Sequence, residues 1–369
     1  MKIVAFEVTG LLGRDTQLRL EFNDDINIIT GRNGSGKTSL LKLLWYIMSG
    51  NILLALKEVN FKKAKLETSI YECTVHRTSS NTCRVEWLRD GHEQVFEDER
   101  DNDDDIYLNA EDPANELLQS EGSSVFLPTF RRIEGGFTLG EKSMNPVTRA
   151  KGDIEDSLVA LSRRLTNSEH VFVTALSTAD VVSLLVKKYT DLSEQYNLLQ
   201  QDVSQAIISK IKQYKQDVSD TTSLRTANAI LDEIRIQIEG MDSSRETIMR
   251  PLEAVRSLAM KLFRHKGIKL GKTLNFGDAA DSINSDALSA GEKQMLSFIA
   301  YNAFYSEAVM LIDEPELSLH VDWQRQLFPI LLGQQASNQF VIATHSPFIY
   351  SKYPEKELQI DPERGDEAR

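Results

Sequence analysis

The stretch GRNGSGKT, Gly31 to Thr38, constrains this chain more than any other. It fills every required position of the phosphate-binding pattern G-x-x-x-x-G-K-[ST]. Ile26-Asn27-Ile28-Ile29 before it reads as a short buried strand, and Ser39 to Met48 after it as the start of an apolar-periodic helix. A strand feeding a glycine loop that opens a helix is the setting this motif needs. Glycines let backbone N–H groups turn toward phosphate oxygens, and the helix start adds a favourable dipole. Asn33, Gly34, Ser35, Gly36, Lys37, Thr38 and Ser39 then form a phosphate cradle. Lys37 would reach the β- and γ-phosphates, and Thr38 would offer its hydroxyl to magnesium.

Three later stretches supply matching chemistry. In Leu288-Ser289-Ala290-Gly291-Glu292-Lys293-Gln294, Ser289, Gly291 and Glu292 sit where a new helix should begin. A serine hydroxyl and free N–H groups at a helix start are fit to hold phosphate. Ala308 to Glu314 is an apolar run ending in two acids. Asp313, at the end of a buried strand, can face magnesium through water, while Glu314 is suited to polarise an attacking water. Phe340 to His345 is a further buried strand, ending in a histidine that could sense the γ-phosphate. Alone, His345 would read as structural; following the other motifs in order, it reads as functional.

The remainder is less specific. Ile3 to Val8 and Leu18 to Phe22 alternate as two antiparallel strands around Gly10 to Gly13, and Ser69 to Arg77 with Thr82 to Leu88 reads as a hairpin. The two cysteines, Cys73 and Cys83, lie in that hairpin without CxxC spacing and are expected as buried free thiols. The acidic run from Glu97 to Asp105 reads as a solvated loop. Ser124 to Leu127 is a core strand leading to Arg131 and Arg132, which could hold phosphate or pair with a carboxylate. From about Ile154 to about His265 the pattern is largely helical. Leu185, Tyr189, Leu192, Tyr196, Leu199 and Val203 form a seam of roughly three heptads, compatible with a hairpin or a compact bundle. Between Arg245 and Lys272 the balance turns basic, with Arg256, Lys261, Arg264, Lys266 and Lys269. That reads as a helix face or a nucleic-acid contact. The net charge of −13 argues against indiscriminate binding to nucleic acid or anionic membrane. With no leading signal and no apolar run long enough to span a bilayer, a cytoplasmic protein without membrane contact is expected.

Together, GRNGSGKT, LSAGEKQ, VMLIDEPELSLH and VIATHSP resemble the Walker A, signature, Walker B with D-loop, and histidine switch of ABC-type ATPases. The wording DEPELSLH, with His320 in the D-loop, is similar to the SMC, RecF and OLD group rather than to transporter subunits. The resemblance covers about residues 1–50 and 270–350 and is weak between them. It implies an α/β fold: a P-loop head of mixed sheet plus antiparallel β-subdomain, with a helical insert. Lobe I would span 1–150, the insert 151–268 and lobe II 269–369. ATP and magnesium are the implied ligands, with Thr38 and Asp313 at the metal and Glu314 and His345 catalytic. The family's Q-loop glutamine has no match, since Gln119 precedes the arginine-bearing strand. The Toprim nuclease of OLD proteins is not recognised after the histidine switch. The resemblance therefore points to a stand-alone ATPase of an anti-phage system, dimerising on ATP and controlling a separate nuclease or toxin. A RecF-like repair ATPase on DNA ends or junctions is the alternative, and a transporter subunit fits less well.

Overall fold

The structure is a computed structural model, and it describes residues 1–100, 106–129, 132–133, 160–167, 169–173, 175–176, 178–217, 223–262 and 289–360. The chain divides into two units. One joins Met1–Ser177 to Leu288–Arg369, and the other is Thr178–Ala287.

The first unit holds a six-stranded antiparallel sheet and a six-stranded parallel one. Its chain begins with β1 (Ile3–Thr9), β2 (Gln17–Glu21) and β3 (Ile26–Thr30), then α1 (Lys37–Met48) and α2 (Ile52–Glu58). Strands β4 (Lys63–Thr68), β5 (Glu72–Arg77), β6 (Cys83–Arg89) and β7 (His92–Glu97) follow. A small pair, β8 (Glu99–Arg100) and β9 (Ile106–Leu108), precedes α3 (Glu111–Gln119) and β10 (Ser124–Leu127). Next come β11 (Arg132–Ile133), β12 (His170–Phe172) and β13 (Ala175–Leu176). Beyond the second unit lie α6 (Ala290–Phe304), β14 (Val309–Asp313), α7 (Val321–Gly333), β15 (Gln339–Ala343), α8 (Pro347–Tyr350) and β16 (Glu357–Gln359). The antiparallel order is β2-β1-β4-β5-β6-β7, and the parallel order is β12-β10-β14-β15-β3-β16. Mixed α/β architecture is thus as the motif order implied.

Helix α1 is the centre of the core. From Leu40 to Met48 every residue except Lys42 is buried. The helix packs on β14 and β15 of the parallel sheet and on β4 of the antiparallel one. A helix apolar on all sides is what such double coverage requires. Trp45 pins it further. Its indole N–H donates to Ser124 Oγ at 3.1 Å, and that hydroxyl lies 2.7 Å from His170 Nδ1. The Trp45 ring meets Phe126 and Phe172 at centroid distances of 5.6 and 5.3 Å. Gln339 links the sheets through a side-chain amide. Its Oε1 accepts from Ile3 N at 2.7 Å, and its Nε2 donates to Ile3 O and Asn23 O, both at 2.8 Å.

Three expectations are corrected. The stretch read as largely helical contains β12 and β13, because His170–Phe172 pairs parallel with β10 and buries Phe172 against α1. The second unit therefore starts at Thr178 rather than near residue 151. The acidic run is not all solvated loop: Asp98 accepts from Cys83 N at 3.1 Å and Ala110 N at 2.9 Å, and Glu99 lies in β8. Residues 101–105 of that run lie outside the described residues. Cys73 and Cys83 are buried and free, and burial raises the Cys73 thiol to about 12.

The second unit contains two 40-residue helices, α4 (Thr178–Asp217) and α5 (Ser223–Leu262). Each is on the order of 60 Å long, twice the length that three heptads imply. They form an antiparallel hairpin: Lys210 pairs with Glu233, and the Arg245 guanidinium lies 5.6 Å from the Tyr196 ring centre. Leu185 is buried and Leu192, Tyr196, Leu199 and Val203 are half-buried, whereas Tyr189 is exposed. Arg256 pairs with Glu253 at 3.0 Å, and Arg264, Lys266, Lys269 and Lys272 lie outside the described residues. No described helix is long and apolar enough to cross a membrane.

Burial lowers the His170 pKa from 6.5 to about 4. As pH falls through that window the unfolded chain takes a proton that the folded one refuses, so stability falls. Urea midpoints should register a loss on the order of 3 kcal/mol between pH 7 and 4 from this residue. His170→Gln should flatten that part of the profile; an unchanged slope would contradict the assignment.

Candidate functional site

The glycine loop joins β3, which is wholly buried between β15 and β16, to α1. Gly36 caps α1 at φ 104°, a left-handed conformation, and accepts the first helical bond from Leu40 N at 2.8 Å. A Cβ there would also stand 2.9 Å from Leu12 Cδ1. Both facts favour glycine at this position. Gly34, at φ 78°, and Asn33 are exposed, Ser35 is buried, and Thr38 and Ser39 are half-buried in the first turn of α1. Lys37 is only 5% exposed. Its Nζ donates to Gly31 O at 2.9 Å and Arg32 O at 3.2 Å, and lies 3.4 Å from His345 Nδ1.

Parallel pairing places the carboxyl ends of β3, β10, β14 and β15 along one edge. That edge is where ligands of open α/β sheets bind. Asp313, the last residue of β14, is wholly buried and accepts a hydrogen bond from Thr129 Oγ1, just beyond β10. Glu314 has φ 47°, uncommon for a non-glycine residue, and its N–H donates to Ala343 O at 2.8 Å. Its Oε1 is 3.8 Å from His345 Nε2. Burial, then the neighbouring Lys37 ammonium, lowers the His345 pKa, with Glu316 and Asp313 acting in the opposite sense. The imidazole is therefore neutral near pH 7, and its Nδ1 can accept from Lys37.

The signature stretch forms a second cluster. Ser289 caps α6 in a reciprocal capping box: its N–H donates to Glu292 Oε2 at 2.7 Å, and its Oγ accepts from Glu292 N at 3.4 Å. A Cβ on Gly291 would lie 2.5 Å from Ser318 O, so the helix start touches the loop after β14 only because this residue is glycine. Gln294 reinforces the contact, donating from Nε2 to Pro315 O at 3.1 Å. Leu288 lies outside the described residues.

Several contributors were not identified from sequence. Thr129 has no motif to flag it. Gln119, by contrast, donates to Gly50 O at 3.1 Å. Arg14 clamps the glycine loop, donating to Ser35 O and Gly34 O, each at 3.3 Å. Glu316 Oε1 accepts from Thr344 Oγ1 at 2.8 Å and His345 N at 2.7 Å. His320, expected in the D-loop, caps α7 by accepting from Asp322 N at 3.4 Å. Of the two expected arginines, Arg132 lies in β11 beside β13, and Arg131 is outside the described residues. As a donor set, the Thr38 hydroxyl and the Asp313 carboxylate are hard oxygens suited to magnesium. No cluster of three or more His, Cys, Asp or Glu fit for a metal occurs among the described residues, so any magnesium here would share its shell with the nucleotide and water.

Residues 141–351 match the protein family described as "AAA domain, putative AbiEii toxin, Type IV TA system". The "Retron Ec83 probable ATPase" of Escherichia coli is 36% identical over 73 residues, a match covering 16% of this chain and 14% of that protein. Among solved structures, an Smc head domain with an extended coiled coil, bound to the C-terminal domain of ScpA and derived from Pyrococcus furiosus, aligns at 13% identity and TM-score 0.37. That alignment covers 95% of this chain and 91% of the other. An Smc head domain with a coiled coil and joint from Pyrococcus yayanosii aligns at 13% identity and TM-score 0.39, covering 95% and 93%.

Thr129→Val keeps the side-chain shape and removes the hydroxyl on Asp313. Loss of such a supporting hydrogen bond should raise the magnesium concentration for half-maximal nucleotide turnover by roughly tenfold. An unchanged magnesium titration would show that Thr129 has no bearing on the metal.

Proposed function

The chain belongs to this AAA-domain family, and from that premise we propose that it binds and hydrolyses ATP as a two-fold dimer. The observation that carries the reading is the meeting of Lys37, Asp313, Glu314 and His345 at the carboxyl ends of three adjacent strands. On ATP binding, Lys37 exchanges the carbonyls of Gly31 and Arg32 for phosphate oxygens. Thr38 and Asp313 would hold magnesium, which when bound would neutralise phosphate charge. Glu314 takes a proton from water as its oxygen bonds to the γ-phosphorus and the bond to the ADP oxygen breaks. His345, neutral and fixed, contacts the γ-phosphate.

Dimerisation follows from counting. In ATPases that resemble this one, the signature of one protomer covers the nucleotide on another's glycine loop. Ser289, Gly291 and Glu292 lie at a separate helix start, and the sequence carries one such motif and one glycine loop. A two-fold axis completes two sites at once. The DEPELSLH wording supports placement with OLD-like ATPases. The family's description, which names a putative toxin of a type IV toxin–antitoxin system, and the name of the retron relative support a defence-associated role. In this reading the dimer controls a separate nuclease or toxin.

Lys37→Ala should abolish ATP binding, and Glu314→Gln should preserve binding while slowing hydrolysis by on the order of 100-fold. In the Glu314→Gln protein, light scattering should report a dimer with ATP. Adding Ser289→Arg should leave a monomer that still binds ATP. Equal hydrolysis in wild type and Glu314→Gln would overturn the catalytic assignment, and a monomer at saturating ATP would overturn the dimer.

A further inference from the structure

The side chain of Glu316 joins two loops that their strands leave separate. Backbone pairing between β14 and β15 ends with Asp313 opposite Ala343. Beyond that register one backbone bond, from Glu314 N to Ala343 O, holds the start of the acidic loop. His345 lies two residues past β15, and the last backbone bond to the sheet before it runs from Thr344 N to Ile29 O at 3.2 Å.

Glu316 takes over there. Its Oε1 accepts from the Thr344 hydroxyl and from the His345 backbone N–H, at 2.8 and 2.7 Å. Thr344 Oγ1 in turn accepts from Ser346 N at 2.9 Å. A second tie runs alongside through α7. Gln324 Oε1 accepts from Ser346 Oγ at 2.6 Å, while its Nε2 donates to Leu319 O at 2.8 Å and Glu316 O at 3.4 Å. The histidine backbone is thus held from the acidic loop by side chains. That same loop touches the signature helix through Pro315 and Ser318. The other carboxylate oxygen of Glu316 is buried with no hydrogen-bond partner among the described residues. Retaining a buried acceptor in that condition is costly, and packing alone gives no reason for it.

We propose that Glu316 is a positioning residue, whose carboxylate sets the backbone of His345 and so couples the acidic loop to the histidine at the nucleotide site. The proposal rests on the ATPase reading given above. Among the described residues the donors to its carboxylate are the Thr344 hydroxyl and the His345 N–H, so it acts through His345. Two hydrogen bonds converging on one acceptor oxygen are enough to decide where a two-residue extension beyond a strand rests.

The test compares Glu316→Ala, Glu316→Gln and wild type in the full chain. Glu316→Ala should lower kcat for ATP at least tenfold while the Kd for ATP stays within about threefold. Glu316→Gln keeps an acceptor oxygen and should restore kcat to within about threefold of wild type. In parallel, hydrogen exchange at the His345 amide should be slow in wild type and in Glu316→Gln, and at least tenfold faster in Glu316→Ala. Should Glu316→Ala fail to fold, Thr344→Val removes one of the two donors and should lower kcat with Kd unchanged. Wild-type kcat in Glu316→Ala, or equal amide exchange in all three proteins, would overturn the proposal. Absence of turnover in wild type would overturn the ATPase reading instead, and the amide comparison would still decide the role of Glu316.

Discussion

Burial of α1 against both sheets is the constraint on which the rest of this structure depends. The first residue of that helix is Lys37, so whatever fixes the helix also fixes the ammonium group and the glycine loop before it. Eight buried side chains between Leu40 and Met48, with an indole bonded to Ser124, hold it from all sides. A buried apolar side chain contributes roughly 1.5–3 kcal/mol, so pulling α1 out of this packing would cost an amount comparable with a whole domain's net stability. The glycine loop is therefore mounted on a firmly packed helix.

The acidic and histidine loops are mounted differently. They extend from the ends of β14 and β15. Backbone bonds from Glu314 N to Ala343 O and from Thr344 N to Ile29 O continue the ladder by one residue, and side chains add the further support. Thr129 reaches Asp313, Glu316 reaches Thr344 and His345, and Gln324 bridges Leu319 and Ser346. Such a network holds well when complete and is sensitive to one missing member. The positive φ of Glu314 fits the same description: an unfavourable backbone conformation kept in place by the bond to Ala343.

What was legible in the sequence follows from this division. The strand, glycine loop and helix around Lys37 are specified by neighbouring residues, so a local motif identifies them. Asp313, Glu314 and His345 were placed at strand ends because apolar runs mark where buried strands stop. Thr129 escaped notice because its role depends on Leu127 standing opposite Ile312, a register between strands some 180 residues apart. Glu316 is one glutamate beside another in DEPE, and only the packing of two loops separates their tasks. The strands at 170–176 were hidden because three-residue strands carry no usable periodicity. Asp98 looked like part of a solvated acidic run, but its oxygens satisfy two backbone N–H groups from separate elements. In the helical hairpin Leu185 of the seam is buried and Leu192, Tyr196, Leu199 and Val203 are half-buried, while the helix ends lay beyond the reach of the heptad pattern.

The central claim is that the edge formed by β3, β14 and β15 is one ATP site per chain whose affinity depends on magnesium. Isothermal titration of ATP into the wild-type protein, with and without magnesium, tests it most directly. One ATP bound per chain, with affinity falling when magnesium is withdrawn, is the expected result. No binding at millimolar ATP, or binding indifferent to magnesium, would contradict it.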